Sequence, residues 1–380
     1  MVTMTSIKGT IGYCLIKLFH FFPVDTQKIV FSSFEGRQFG DNPKAIYEAM
    51  KLKQPNYKYY WIMKDSSTRI QGAKVIGYSS IVSLYHLATS KTWVDNVRKR
   101  AWITKRRNQL YIQTWHGGLA LKRIEADIET ELPSWYVKCA KHDSEMADLM
   151  ISGSNWQTDN IKKSFWYEGK ILQCGLPRSD VLYQDPAKYR EVVWKHFCID
   201  RETHILLYAP TFRGDEEVNQ SFFDFQTVLQ SLKVKWPGEW KILLRLHPNV
   251  KDKVNHLKLD KDVINASEYD NMNELICASD IVISDYSSCV FDALEGHKSV
   301  FLYLPDREEY QNQRGLYFEL EKLPMPISYD TDGLCHEIKK YEETYYMKKT
   351  SDFFKQLGAV QNEHASSDCA DYIISLMKQQ

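Results

Sequence analysis

The chain has 380 residues, of which 43% are hydrophobic and 26% charged, and 49 lysines and arginines balance 49 aspartates and glutamates. That length exceeds what a single core serves, so two domains are expected. A net charge of zero excludes a general nucleic-acid binder, which needs a basic surplus to displace counterions from phosphates.

In chain order the first element is helical. Ile7, Ile11, Leu15, Leu18 and Phe22 recur at helical spacing, with Phe19 and Phe21 beside them and Lys8, Lys17 and His20 elsewhere on the wheel, until Pro23 stops the run. This amphipathic segment, residues 1–27, fits a helix lying in a membrane interface and equally one docked on the protein's own core. No stretch approaches the roughly 20 apolar residues of a spanning helix, and no secretory signal is expected.

From residue 28 short β-rich runs alternate with helical patterns, the signature of parallel sheets built from βαβ units. The expected strands are residues 28–34, 58–63, 92–95, 110–115, 149–152 and 170–174, then a second series at 204–210, 241–246, 263–266, 281–284 and 300–304. Helix starts are marked at Asn42-Pro43, with Asn42 as the expected cap, and at Ser154-Asn155. Two such series predict an α/β chain of two doubly wound Rossmann-like domains facing a cleft. The expected ranges are 28–175 and 176–350, divided near Gly175-Leu176-Pro177, with helices in 351–380 packing back toward the first.

Eight cysteines (Cys14, Cys139, Cys174, Cys198, Cys277, Cys289, Cys335, Cys369) are dispersed without a C-x-x-C pair, which reads as reduced thiols in the cytosol. The 23 tyrosines and 10 tryptophans suit stacking on sugars or bases, although rings of this kind mostly fill cores.

Open parallel sheets bind ligands at the carboxyl ends of their strands, and four segments lie there. Gln113-Thr114-Trp115-His116-Gly117-Gly118 offers a histidine and a pliant loop suited to acid–base work; a structural histidine capping a turn fits the pattern as well. Arg245-Leu246-His247-Pro248 places a cation and an imidazole on one side of a strand tip, suited to a diphosphate, or an arginine paired with a carboxylate. Ser284-Asp285-Tyr286-Ser287-Ser288 leads a strand into a helix whose first amides and hydroxyls suit phosphate, with capping by Asp285 or Ser287 as the alternative. Ala209-Pro210-Thr211-Phe212-Arg213 adds Thr211 and Arg213 as anion contacts. Neither a Walker nor a dinucleotide glycine fingerprint occurs, and no G-x-S-x-G elbow, so kinase, nicotinamide and α/β-hydrolase readings lose their support.

In this order, with Phe31-Ser32-Ser33-Phe34 and Asp41-Asn42-Pro43-Lys44-Ala45 ahead of them and Arg314-Gly315-Leu316-Tyr317 behind, the segments resemble the bacterial CDP-glycerol glycerophosphotransferase family, which builds teichoic acids and related capsule polymers. The resemblance covers about residues 28–320. It implies a GT-B fold with an acceptor-side first domain and a nucleotide-side second domain. It assigns the essential histidines to His116 and His247, donor-phosphate contacts to Arg213, Ser287 and Ser288 with Arg245 and Thr211 beside them, and an acceptor-side loop to Gly117 and Gly118. Where the family often has Thr-Pro after its first His-Gly, this chain has Gly118-Leu119, which bears on acceptor preference. The implied partners are CDP-glycerol and a lipid-linked or polymeric glycan acceptor on the inner membrane face. The chain also fits a primase-like or capsule-specific transferase better than a long-chain polymerase. No cofactor is required, although Asp285 leaves a Mg²⁺ ligand open. The expected reaction is attack of an acceptor hydroxyl on the phosphorus nearest glycerol, with His116 as base, or His247 with the two roles exchanged, and CMP as leaving group. CDP-ribitol transfer, a nucleotide-sugar glycosyltransferase and a catalytically silent membrane scaffold are the rivals.

Overall fold

The structure, a computed structural model, describes residues 4–211, 223–246, 259–307 and 315–379. The chain forms two compact units. One takes residues up to His116, Ile124–Asp180 and those from Val360 on; the other takes Gly117–Arg123 and Val181–Ala359. The division thus falls at 180, and the short segment 117–123 leaves the first unit for the second.

The first unit is built on seven parallel strands: β1 (Asp25–Ser32), β2 (Lys58–Met63), β3 (Lys74–Gly77), β4 (Ser90–Asp95), β5 (Leu110–Gln113), β6 (Leu149–Ser152) and β7 (Lys170–Gln173). Their order is β3-β2-β1-β4-β5-β6-β7. Helices α1 (Met4–Phe19), α2 (Asp41–Lys53), α3 (Ile81–Thr89), α4 (Ser134–Met146) and α5 (Asn155–Ser164) connect or flank them.

Alternation along each strand feeds two cores. Ile29, Phe31 and Ile112 join Ile46, Tyr47 and Met50 of α2 on one face. Val30, Trp93 and Tyr111 join Ile16 of α1 and Leu87 of α3 on the other. Helix α1 therefore docks on its own unit through Ile16, while Ile7, Ile11 and Leu18 stay more than half exposed.

After α6 (Asp180–Gln184) the second unit contains β8 (His204–Ala209), β9 (Trp240–Leu244), β10 (Val263–Asn265), β11 (Ile281–Ser284), β12 (Ser299–Tyr303) and β13 (Ile327–Ser328). Their order is β10-β9-β8-β11-β12-β13, and every pairing is parallel. Leu206, Leu207, Ile242, Leu243, Val282, Ile283 and Val300 are fully buried, as expected of strands covered on both faces. Its helices are α7 (Pro186–Phe197), α8 (Phe225–Lys235), α9 (Met272–Ala278), α10 (Cys289–Glu295), α11 (Thr331–Lys340) and α12 (Glu343–Gln356).

The tail is shared. Helix α12 belongs to the second unit, where the Tyr346 hydroxyl accepts from Val300 N and donates to Lys298 O, both at 2.9 Å. Only α13 (Ala365–Gln379) returns, placing Ala370, Ile373 and Met377 in the core of α2. The range 351–380 expected to pack on the first unit is thus shortened to residues 360–380.

Candidate active site

In each sheet the strand order reverses beside the first strand, between β1 and β4 in one unit and between β8 and β11 in the other. Loops leaving the carboxyl ends of such neighbours diverge and leave a crevice. Among the described motif residues Thr211 and Asp285 follow β8 and β11, while His116 and Arg245 follow the neighbouring strands β5 and β9.

In the first unit β5 ends at Gln113 and the chain turns sharply, with Trp115 at φ 55°. This left-handed backbone is held from several sides. Gln113 Oε1 accepts from Trp115 N at 2.9 Å, and Asn42 Nδ2 donates to the Trp115 carbonyl at 3.2 Å. Arg178 Nη1 donates to the His116 carbonyl at 2.6 Å and meets Asp41 at 3.0 Å, and its backbone N–H donates to Asn42 Oδ1 at 3.1 Å. Asn42 is therefore no helix cap: α2 starts after Gly40 without a side-chain cap, and Asn42 ties α2 to the histidine loop. Ser154 does cap α5, accepting from Gln157 N.

His116 Nδ1 lies 2.9 Å from the Asn96 carbonyl, just past β4. A carbonyl only accepts, so Nδ1 carries the proton and Nε2 keeps its lone pair. The ring sits 4.3 Å from the Trp115 ring and 5.6 Å from that of Phe34. Loss of solvation lowers its pKa below 6.5, outweighing the Asn96 carbonyl and Asp41, which raise it. The imidazole is neutral at neutral pH, the form a general base requires.

Beneath it Arg98 pairs with Glu125 at 2.7 Å and Asp143 at 3.1 Å, its guanidinium 5.4 Å from the Trp115 ring. Burial pulls the Arg98 pKa down, but the two carboxylates overcome this and raise it. A pocket of about 230 Å³ opens here, lined by His116, Trp115, Arg98, Arg37 and Trp135. Phe34, Glu35, Asp41, Trp115 and Glu125 all have positive φ, so strained backbone collects around this histidine.

In the second unit Thr211 N lies 2.9 Å and its Oγ1 3.0 Å from Asp285 Oδ2, and both donate to it. Asp285 thereby joins the loops after β8 and β11. The Thr211 hydroxyl is engaged there too. Among the described residues no group of three or more His, Cys, Asp or Glu is placed to hold a metal.

Arg245 follows β9 and is only 9% exposed. Its Nη1 is buried without a hydrogen-bond partner, and desolvation pulls its pKa down to about 10. A buried guanidinium with an unbonded N–H group suits an incoming anion. Ser287 and Ser288 precede α10 and are partly exposed. Ser287 Oγ accepts from Cys289 N at 3.5 Å, whereas Ser288 caps nothing with its side chain. A Cβ added at Gly117 would come 3.4 Å from Ser288 Oγ, so this loop, expected on the acceptor side, belongs to the second unit. The backbone of Arg123 with Gly315, and of Tyr317 with Leu121, fixes the rest of it. His247 and Arg213 lie outside the described residues.

Sequence reasoning missed Asn96, Arg98 and Arg178. The strand-end rule had a signal for two of them, since Asn96 follows β4 and Arg178 follows β7 within the Leu176-Pro177-Arg178 turn.

Residues 14–375 match the model of a family described as CDP-glycerol:poly(glycerophosphate) glycerophosphotransferase. The chain is 31% identical to the teichoic acid poly(glycerol phosphate) polymerase of Staphylococcus epidermidis over 94% of its own length, which spans only 52% of that relative. It is 29% identical to the teichoic acid glycerol-phosphate transferase of Staphylococcus aureus, covering 89% of this chain and 90% of that one. The structure of the wall teichoic acid polymerase TagF, in a histidine-to-asparagine variant soaked with CDPG, superposes with a TM-score of 0.86 at 29% identity, covering all of both chains. The two parallel-sheet units thus have a GT-B-like architecture.

Proposed function

The chain belongs to the CDP-glycerol:poly(glycerophosphate) glycerophosphotransferase family, and from that premise we propose that it transfers glycerol phosphate from CDP-glycerol to a hydroxyl of a teichoic acid or capsule acceptor, releasing CMP. The observation that carries the reading is the state of His116: neutral, its Nδ1 proton held by Asn96, its Nε2 lone pair available.

In this reaction the acceptor oxygen forms a bond to the phosphorus nearest glycerol as the bond to the CMP oxygen breaks in line. His116 Nε2 takes the acceptor proton, and CMP departs with the electron pair. Little covalent help is needed, because catalysis of phosphoryl transfer rests on position and charge. Arg245, with its unpartnered Nη1, and Ser288 are assigned to the diphosphate, together with Ser287, Arg213 and His247. These cations supply the neutralisation, so EDTA should leave turnover unchanged.

The protein works at the inner membrane face in this reading. Exposed Ile7, Ile11, Leu18 and Phe21 of the N-terminal segment and exposed Ile81 and Val82 at the start of α3 give one unit an apolar surface suited to the bilayer interface. No helix among the described residues is long and apolar enough to cross a membrane.

The test incubates purified protein with CDP-glycerol, CDP-ribitol or nucleotide sugars and a membrane-extracted acceptor. CMP release with a new phosphodiester is expected from CDP-glycerol, and His116→Ala should reduce it by about two orders of magnitude with the fold intact. Release of a nucleoside diphosphate with sugar transfer, or near-normal turnover by His116→Ala, overturns the proposal.

A further inference from the structure

Arg98 lines the pocket that contains His116 and is placed where a phosphate contact would be sought. Its hydrogen bonds exclude that use. A guanidinium has five N–H donors. Here Nε and Nη2 donate to Glu125 Oε2 at 3.2 and 2.7 Å, Nη1 donates to Asp143 Oδ2 at 3.1 Å and to Ser144 Oγ at 2.8 Å, and Nη2 also donates to the Phe165 carbonyl at 3.5 Å. No donor is left for a ligand. The guanidinium instead packs over the rings of Trp115 and Phe165, 5.4 and 5.2 Å from their centroids, and Trp115 is the ring against which His116 rests.

Asp143 of α4 is the hub of this network. Completely buried, it accepts four hydrogen bonds, as many as a carboxylate has lone pairs to offer. Oδ1 takes Lys99 N and the Tyr111 hydroxyl, both at 2.8 Å, and Oδ2 takes Arg98 Nη1 and Gln113 Nε2, both at 3.1 Å. Two of these connections lead to the histidine. Lys99 N belongs to the loop that leaves β4 and carries the Asn96 carbonyl, the acceptor for His116 Nδ1–H. Gln113 reaches the residue preceding His116, because its Oε1 accepts from Trp115 N, and its Nε2 also donates to the Val97 carbonyl of that same loop at 3.1 Å. The Asn96 carbonyl and the ring it orients are thus fastened to one carboxylate. Arg98 already has a counterion in Glu125, so charge balance alone does not call for Asp143.

We infer that Arg98 and Asp143 are positioning residues of the proposed base, keeping the Asn96 carbonyl against Nδ1 so that the lone pair stays on Nε2. The inference rests on the transfer reaction in which His116 takes the acceptor's proton. Released from the carbonyl, a neutral imidazole can carry its proton on Nε2 instead, where it has no lone pair to offer the acceptor.

Asp143→Asn keeps the side chain's shape but turns an N–H toward groups that donate, and Gln113→Met cuts the link to Trp115 without removing a charge. In the full chain labelled with ¹⁵N-histidine, NMR of the ligand-free wild type should show His116 protonated at Nδ1. Both variants should shift it toward the Nε2-protonated form and lower kcat by about tenfold or more, with KM for CDP-glycerol unchanged. Arg98→Lys, which keeps the charge but loses the planar fork, should do the same. Tyr59→Phe supplies the comparison, since it removes a hydroxyl that donates to the Met50 and Gln54 carbonyls elsewhere in the unit: its melting temperature should fall with tautomer and kcat unaltered. Variants that melt lower yet keep the Nδ1 proton, or that keep a normal kcat, overturn the assignment; if Asp143→Asn does not fold, Gln113→Met decides alone. A tautomer shift in these variants, with no CMP released from CDP-glycerol by the wild type, would instead overturn the transfer reaction and leave the positioning of the ring standing.

Discussion

Arg178→Met tests the claim that the histidine loop is held by a buried ion pair rather than by its own turn. The Arg178 and Asp41 side chains are only 8% and 10% exposed at a separation of 3.0 Å. Removing one partner from such a pair leaves an uncompensated charge, which costs about 3–5 kcal/mol. The lost donor to the His116 carbonyl falls within that figure. For a unit of this size each kcal/mol lowers the melting temperature by roughly 2–4 °C, so calorimetry should find a fall of about 6–20 °C. Asp41→Asn in the same chain removes the stranded carboxylate, and the double variant should recover about 2 kcal/mol relative to the sum of the single changes. Turnover should remain low in the double variant, because the carbonyl that orients His116 is still released, while binding of CDP-glycerol stays near wild type. An Arg178→Met protein that melts within roughly 2 °C of wild type and transfers normally would refute the clamp.

NMR titration of His116 should give a pKa below 6.5, because burial disfavours the imidazolium. Protonation then favours the unfolded chain, so the contribution of His116 to stability declines as pH falls below 6.5, and the acid limb of kcat/KM lies below that value as well; an apparent pKa above 6.5 would remove its assignment as base. Arg245→Met should stabilise the ligand-free second unit by about 1–3 kcal/mol, since its buried guanidinium lacks a partner at Nη1, and should weaken CDP-glycerol binding at least tenfold; destabilisation with unchanged binding would count against it. Deleting residues 1–22 should reduce sedimentation with anionic liposomes, and Ile81→Ser with Val82→Ser should lower it further, whereas unchanged sedimentation in both would retire the apolar face as a membrane contact.

The alternation of apolar runs made most of both sheets readable, because strands buried on both faces are nearly continuous in Val, Ile, Leu and aromatic residues. β2, β6 and β11 fall where the pattern put them. β3 and β13 escaped it. Each lies at a sheet edge and is only four and two residues long, too short for a period to show. The tail was misjudged because Glu343–Gln356 and Ala365–Gln379 are both amphipathic, and nothing in their spacing says which core each apolar stripe enters. His116 and Arg245 were legible as strand-end groups. Asn96 and Arg178 also follow strands, but their roles were not legible, since they act through the His116 ring and the backbone beside it, contacts separated by 20 and 62 residues in the chain.

A polar motif at a strand end has two duties, and the structure separates them. A loop that leaves a parallel sheet loses its ladder partners, so its backbone groups must find side chains, or desolvation would disfavour the fold. Asn42, Arg178 and Gln113 do this around residues 115–116, and Asp285 does it for Thr211. Of these, Gln113 and Asp285 stand in segments that look catalytic in the sequence, because polar side chains at a strand end suit either purpose. The groups that the proposed reaction gives to its ligands are ones whose outward atoms the protein does not engage: His116 Nε2, Arg245 Nη1 and Ser288 Oγ among the described residues. Substitutions in the two sets should therefore diverge. Asn42→Ala and Asp285→Ala should lower stability and turnover together, whereas His116→Ala and Ser288→Ala should lower turnover alone. If Asp285→Ala kept full stability and lost only donor binding, the carboxylate would belong to the substrate and the division drawn between the two sets would fail.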